Sequence, residues 1–156
     1  MVGTSPTLLF SAYFGTLNLE KAAILSFPQG LPGFETERQF AAIQIPGQHP
    51  LIYLQSVATP DLCLLTFPVN AIDSNYRLHV SAEDRDTLEL PATEILDTTA
   101  NLLALAIVSV EQGAGATANM AAPLVVNLKT NLVLQAVQPD PSLLYNFPLN
   151  SLTPPC

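Results

Sequence analysis

The chain has 156 residues, 49% of them hydrophobic and 12% charged, and thirteen acids against five bases give a formal net charge of −8. A chain of this length suits one domain and buries roughly 70% of the surface its unfolded form exposes, so it needs no disulfide or metal staple. The composition excludes a disordered chain, and five scattered bases exclude nonspecific nucleic-acid binding, which runs on phosphate neutralisation. An acidic domain attracts a basic protein partner instead, or uses its charge only for solubility.

Residues 1–7 are small and polar and read as a frayed, disordered leader. Residues 8–150 read as one domain and residues 151–156 as an irregular tail. No signal peptide is apparent, since the first base is Lys21. No apolar run reaches the ~18 residues of a membrane span. These features point to a soluble cytoplasmic protein. Cys63 lies in an apolar run and Cys156 ends the chain. Two free thiols suit a reducing cytoplasm, and nothing favours a bridge between them.

Thr7 to Gly15 is apolar and aromatic, and Thr16 to Glu20 alternates with period two, which makes Leu17 and Leu19 the buried face of a strand. Ala23 to Phe27 is a short strand running into Phe27-Pro28-Gln29-Gly30-Leu31-Pro32-Gly33-Phe34-Glu35. Two prolines fix φ and two glycines can take φ > 0, so this stretch reads as a rigid corner that tucks Leu31 and Phe34 inward. Glu35 to Arg38 suggests one helical turn. Strands are expected at Phe40 to Ile45, Leu51 to Ser56 and Leu62 to Phe67, the last ended by Pro68.

Tyr76 to Val80 alternates and reads as a further strand. Ser81 begins a short helix: it can cap, and Glu83, Asp84 and Asp86 suit the positive end of a helix dipole. Leu102 to Val110 is a near-continuous apolar run whose Ile107, Val108 and Val110 favour a strand over a buried helix. Two more strands fall between Thr117 and Asn127, interrupted by Pro123, and another at Asn131 to Val137. Five prolines make the tail irregular, with Leu144, Tyr145 and Phe147 available to pin it. Ten to twelve short strands with one or two short helical turns specify an all-β, compact single-domain antiparallel β-barrel-like fold.

Chemistry-bearing constellations do not assemble. His49 and His79 belong to no metal-binding spacing. Paired acids such as Glu83/Asp84 read as a solvated face. Gly113 to Thr117 lacks the lysine of a phosphate loop and precedes a strand. The residues imply no cofactor and no enzyme.

Four stretches in order are similar to a known family. They are Tyr13-Phe14-Gly15-Thr16-Leu17 with Glu20, then the corner from Phe27 to Glu35 with Thr36 to Phe40. Leu54-Gln55-Ser56 with Pro60-Asp61-Leu62 follows, and last comes Asn119-Met120-Ala121-Ala122-Pro123-Leu124-Val125-Val126-Asn127 with Gln135. From about Phe10 to Leu149 the chain resembles the flagellar assembly factor FliW family. The family usually has Leu at the place of Met120 and often Lys at Ala121, and a proline after the third stretch is out of place here.

The resemblance implies a non-enzymatic, barrel-like regulator of flagellum assembly, monomeric when unbound. Such a protein binds the translational regulator CsrA, relieves its repression of flagellin mRNA, and binds flagellin as the competing partner. It also implies that Gly15, Gly30, Leu31, Pro32, Gly33, Phe34, Gln55, Ser56, Asn119, Pro123, Asn127 and Gln135 are architectural. The expected CsrA-facing surface is the loop containing Glu111, Gln112, Gly113, Gly115 and Thr117. Glu83, Asp84 and Asp86 form a second acidic patch. The alternatives are a small-ligand-binding β-barrel, which needs an internal cavity of several hundred cubic ångströms, and a diverged module with another protein partner.

Overall fold

The computed structural model describes residues 8–18, 23–98, 100–111, 113 and 115–149. Among them the chain forms eleven strands and two short helices. Strands β1 (Leu8–Ser11) and β2 (Gly15–Asn18) make a separate hairpin. The other strands are β3 (Ala23–Ser26), β4 (Gln39–Ile43), β5 (Ile52–Ser56), β6 (Cys63–Pro68), β7 (Leu102–Glu111), β8 (Gly115–Ala118), β9 (Leu124–Asn127), β10 (Leu132–Gln135) and β11 (Phe147–Pro148). Helices α1 (Val69–Ile72) and α2 (Ala82–Thr87) lie between β6 and β7.

Seven strands close a barrel in the order β3-β4-β5-β6-β7-β9-β10 and back to β3. Closure depends on the length of β7. Its first half pairs with β9, its middle with β6 and its last residues with β8. Strands β8 and β11 therefore extend outward from β7 as a flap. All pairings are antiparallel except the seam, where β10 meets β3 in parallel through the single bridge Leu132↔Ser26. Beside it the Ser26 amide donates to the Asn131 carbonyl at 2.9 Å.

Side-chain alternation along β7 sorts the core. Leu103, Leu105 and Ile107 join Leu25, Phe40, Ile52, Leu54, Leu124, Val126 and Val133 inside the barrel. The intervening Ala104, Ala106 and Val108 pack outside it against Phe67, Val69, Met120 and Leu149. A third cluster joins Leu102, Val125 and Leu134 to Leu88 and Leu90 beside α2. Strands covered on both faces need apolar residues at every position. That requirement explains the unbroken run in β7 and the fully buried β9.

Several expectations change. Glu35 to Arg38 is not helical: one turn at Glu35-Thr36, closed by the Glu37 amide on the Phe34 carbonyl at 3.0 Å, leads by irregular chain into β4. Pro68 ends β6 and is also the N-cap residue of α1, a one-turn helix that no pattern in the chain announces. Tyr76 to Val80 is not a strand. Its backbone is satisfied by a side chain: the His79 amide donates to Gln138 Oε1 at 2.8 Å, and Gln138 Nε2 donates back to the His79 carbonyl at 2.9 Å. The alternation there reflects packing, because Leu78 and Val80 reach the outer clusters. The side chains of Leu144, Tyr145 and Phe147 are exposed and do not pin the tail, although the Leu144 carbonyl accepts the Met120 amide and the Phe147 backbone pairs with Ala118. Leu149 does so instead, 5% exposed, helped by the β8–β11 pairing. The side chains of Leu17 and Leu19, residues 1–7 and 151–156, and Cys156 lie outside the described residues.

The Ser81 helix forms as expected. Ser81 Oγ accepts the Asp84 amide at 3.1 Å, and Glu83 and Asp84 occupy the first turn.

The corner is built as its residues dictate, with one exception. Phe27 and Leu31 are buried, but Phe34 is 43% exposed. Leu31-Pro32-Gly33-Phe34 is a tight turn with proline second and glycine third, at φ +84°. Its ends exchange amides, Phe34 to Leu31 at 2.7 Å and Leu31 to Phe34 at 3.4 Å. A side chain beyond a two-residue turn that already satisfies the backbone has nothing to pack on, so Phe34 faces solvent. Phe27 stacks edge-on against Phe40 at 5.1 Å and ties the corner to the barrel interior.

Candidate partner-binding surface

Gln55, Ser56, Asn119, Asn127 and Gln135 of the four stretches are clips. Gln55 is fully buried on the outer face of β5. Its Oε1 accepts from Ser11 Oγ at 2.7 Å, and its Nε2 donates to the carbonyls of Ser56, Thr59 and Pro60 at 3.1–3.2 Å. Ser11 Oγ in turn accepts the Tyr13 and Phe14 amides, so one side chain fastens the β1–β2 hairpin to the β5–β6 turn. Ser56 Oγ accepts the Ala58 and Thr59 amides and donates to Glu37 at 2.6 Å. Thr59 Oγ1 also donates to Glu37. The hydrogen bonds from Ser56 and then Thr59 hold the Glu37 carboxyl below its usual range.

Asn119 Oδ1 accepts the Ala121 and Ala122 amides ahead of Pro123, and Gln135 Nε2 donates to the Ala122 carbonyl. Asn127 Nδ2 donates to the Leu88 carbonyl at 2.7 Å, anchoring the end of α2. No buried side-chain nitrogen or oxygen among the described residues lacks a partner.

The two sequence-selected patches do not come together. Gly113 and Gly115 are exposed in the β7–β8 turn, both at positive φ, and Thr117 is half-buried opposite Ser109. The Glu111 backbone pairs with Gly115; its side chain and Gln112 lie outside the described residues. Exposed Glu83 and Asp86 and half-buried Asp84 sit on α2, which packs near the Leu102 end of β7. The ten residues of β7 separate the two patches, a span of roughly 30 Å.

No group of three or more His, Cys, Asp or Glu among the described residues is placed to hold a metal ion. Cys63 is half-buried, and burial pushes its thiol up to about 11, well above the range of reactive thiolates. Burial, then the charges of Asp140 and Asp73, push Tyr76 up to about 12, while its hydroxyl donates to the Met120 carbonyl at 2.6 Å.

The middle of the barrel is filled by Phe40, Leu54 and Leu124, so the concavities are open clefts at its surface. One of about 420 Å³ opens beside the one-bridge seam, over Leu25, Ile52, Leu105 and Val126. A second, also about 420 Å³, holds Glu89, Glu94 and Lys129, and Leu128 borders both. A third, about 390 Å³, lies on the corner side of the seam between Phe27 and Leu132. Glu89 is unusual for its backbone, because it follows the end of α2 at φ +59°, where glycine is favoured. Sequence reading missed both Glu89 and the seam. The first depends on where α2 stops and the second on a parallel pairing between distant strands.

Fold and surface together define a compact, filled β-barrel protein whose buried polar side chains brace loops and whose open features are surface clefts. Residues 9–149 match the family model described as FliW protein. The chain belongs to the FliW family, whose named relatives are flagellar assembly factors. It is 32% identical to the flagellar assembly factor FliW of Syntrophomonas wolfei over 130 residues, covering 83% of this chain and 80% of that protein. It is 26% identical to that of Bacillus subtilis over 142 residues, covering 91% and 96%. A crystal structure of the flagellar assembly factor FliW superposes with a TM-score of 0.77 at 25% identity, covering 91% of this chain and 96% of that one. The relatives are named as assembly factors and not as enzymes. No helix among the described residues is long and apolar enough to cross a membrane.

Proposed function

We propose that this FliW-family chain is a cytoplasmic partner switch. It binds the translational regulator CsrA and relieves its repression of flagellin mRNA, and flagellin competes for the chain. Synthesis of flagellin is thereby coupled to its export. The observation that carries the reading is the family match over nearly the whole domain. The charge of −8 supports it, because an RNA-binding regulator presents basic surface and complementary potential speeds encounter. An acidic protein is a poor substitute for the regulator at RNA, so it acts on the regulator itself, by distorting it or by repelling phosphate nearby.

The filled barrel speaks for a protein partner over an enclosed small ligand. The β7–β8 turn remains a candidate contact for CsrA; charge reversal by Glu111→Lys that leaves binding intact removes it. The test is a pull-down with purified CsrA and flagellin of the source organism, each challenged with the other. Binding to both, with mutual displacement, is expected; binding to neither overturns the reading. The association rate with CsrA should fall as salt is raised to physiological strength. A salt-independent rate would refute electrostatic steering.

A further inference from the structure

The barrel wall is weakest between β3 and the β9–β10 hairpin. One bridge joins them, and at the barrel end where β3 begins, beside that seam, a recess is lined from β3, β4, β5, β7 and β9. Buried Leu25, Ile52, Leu105 and Val126 line that recess together with Gln44 and Asn131, and among the described residues no charged side chain lines it. Such a recess rejects an ion and accepts an apolar group. Its volume of about 420 Å³ falls in the range of ligand-binding pockets. A small apolar molecule there would leave one side in water. An apolar side chain carried by a protein brings its own cover, which is how anchor residues seat in interface pockets.

The neighbouring cleft supplies the second half of the argument. It lies across Leu128, itself 47% exposed, and contains the carboxylates of Glu89 and Glu94 against the single base Lys129. Glu94 Oε1 accepts from Asn101 Nδ2 at 3.1 Å, which fixes that carboxylate at the cleft. Glu89 occupies a backbone position that glycine would fill with less strain, so the helix end does not require its carboxylate.

We infer that the seam cavity and the acidic cleft beyond Leu128 form one docking groove for a basic protein, which inserts a large apolar side chain at the seam and sets a lysine or arginine against Glu89 and Glu94. The inference deepens the reading above by giving the basic partner its surface.

The probe is a lysine–phenylalanine–lysine tripeptide blocked at both ends, titrated into the isotopically labelled full chain and followed by NMR. Saturable shifts are expected at the Leu25, Ile52 and Val126 methyls and at the Glu89 amide. Ala42→Phe places a ring in the seam cavity and should abolish the shifts at the methyls. Glu89→Gly should weaken the tripeptide at least threefold at low salt while raising the melting temperature, so a loss of binding there cannot come from misfolding. Asp61→Asn, on the β5–β6 turn, should change neither. The absence of shifts at these positions overturns the groove, as does unchanged affinity in Glu89→Gly. The same variants are then assayed against CsrA. Native chain that binds CsrA with both variants equal to it removes the groove and keeps the partner switch. Native chain that binds neither CsrA nor flagellin, yet takes the tripeptide at the seam, removes the partner switch and keeps the groove.

Discussion

Gly30→Ala is expected to destabilise the fold by about 3 kcal/mol, and more than Gly33→Ala. Both glycines have positive φ, +65° and +84°, and alanine in that region costs about 1 kcal/mol. The two differ in what surrounds them. A Cβ on Gly33 meets nothing within 4 Å, whereas one on Gly30 would sit 2.6 Å from the Glu35 carbonyl oxygen and 2.7 Å from its Cα. Those atoms are backbone and cannot swing aside.

The surrounding corner cannot easily yield. The Gly30 amide donates to the Phe27 carbonyl at 3.0 Å, and the Arg38 guanidinium grips the Glu35 and Pro28 carbonyls. Forced overlap in a packed site adds about 1–3 kcal/mol to the φ cost. For a domain of this size the sum corresponds to a drop of roughly 10 °C in melting temperature. Chemical denaturation of both variants measures it. Equal losses, or a larger loss at Gly33, would show that the corner relaxes where the geometry says it is rigid.

Gln55→Leu is expected to cost about 3 kcal/mol although it exchanges a buried polar side chain for an apolar one of similar size. The reason is the set of partners left behind. The Ser11 hydroxyl loses its acceptor in a site 1% exposed, and the Ser56, Thr59 and Pro60 carbonyls lose a shared donor. Each buried group without a partner costs about 1–3 kcal/mol. The Pro60 and Thr59 carbonyls keep the Ala12 and Leu62 amides, at 2.8 and 3.1 Å, which holds the total toward the middle of that sum. Local detachment should accompany the global loss. Hydrogen exchange in the Ser11–Gly15 segment should speed up more than in β7. Uniform acceleration would mean that Gln55 is only filling space.

These two positions show what can be read from a linear chain. The corner was legible because glycine and proline carry their backbone preferences with them. Strands β4 to β7, β9 and β10 were legible because apolar runs ended by Pro, Gly and Asn keep their length in the fold, whereas β8 (Gly115–Ala118) falls mostly where the glycines suggested a loop. Gln55 and Asn127 were recognisable by family resemblance, yet their work is invisible in sequence, since it joins segments 44 and 39 residues apart. Tyr76 to Val80 misled because a period of two reports which side chains are buried and not what satisfies the backbone. In this case Gln138, 59 residues away, replaces a neighbouring strand. The seam was illegible for a related reason: β3 and β10 meet in parallel across more than one hundred intervening residues, and the pairing is too short to leave a pattern.

The surface was less legible than the fold. Acid content suggested a basic partner but not where it would bind. The patches selected from sequence, at Glu111 to Thr117 and on α2, stand at opposite ends of β7. The Asp84 amide donates to the capping Ser81 Oγ and the Glu83 and Asp84 carboxylates stand at the first turn, which gives the acids of α2 a simple structural account. Glu89 and Glu94 became a candidate pair only once the fold set them in one cleft beside an open seam.

The most direct test of the partner switch is displacement of RNA. CsrA of the source organism is loaded onto a labelled flagellin leader RNA, and the purified chain is added at increasing concentration while fluorescence anisotropy is followed. The account predicts that the RNA is released as the chain saturates CsrA, and that added flagellin restores the complex. RNA that stays bound at saturating chain, or release that flagellin does not reverse, would contradict it.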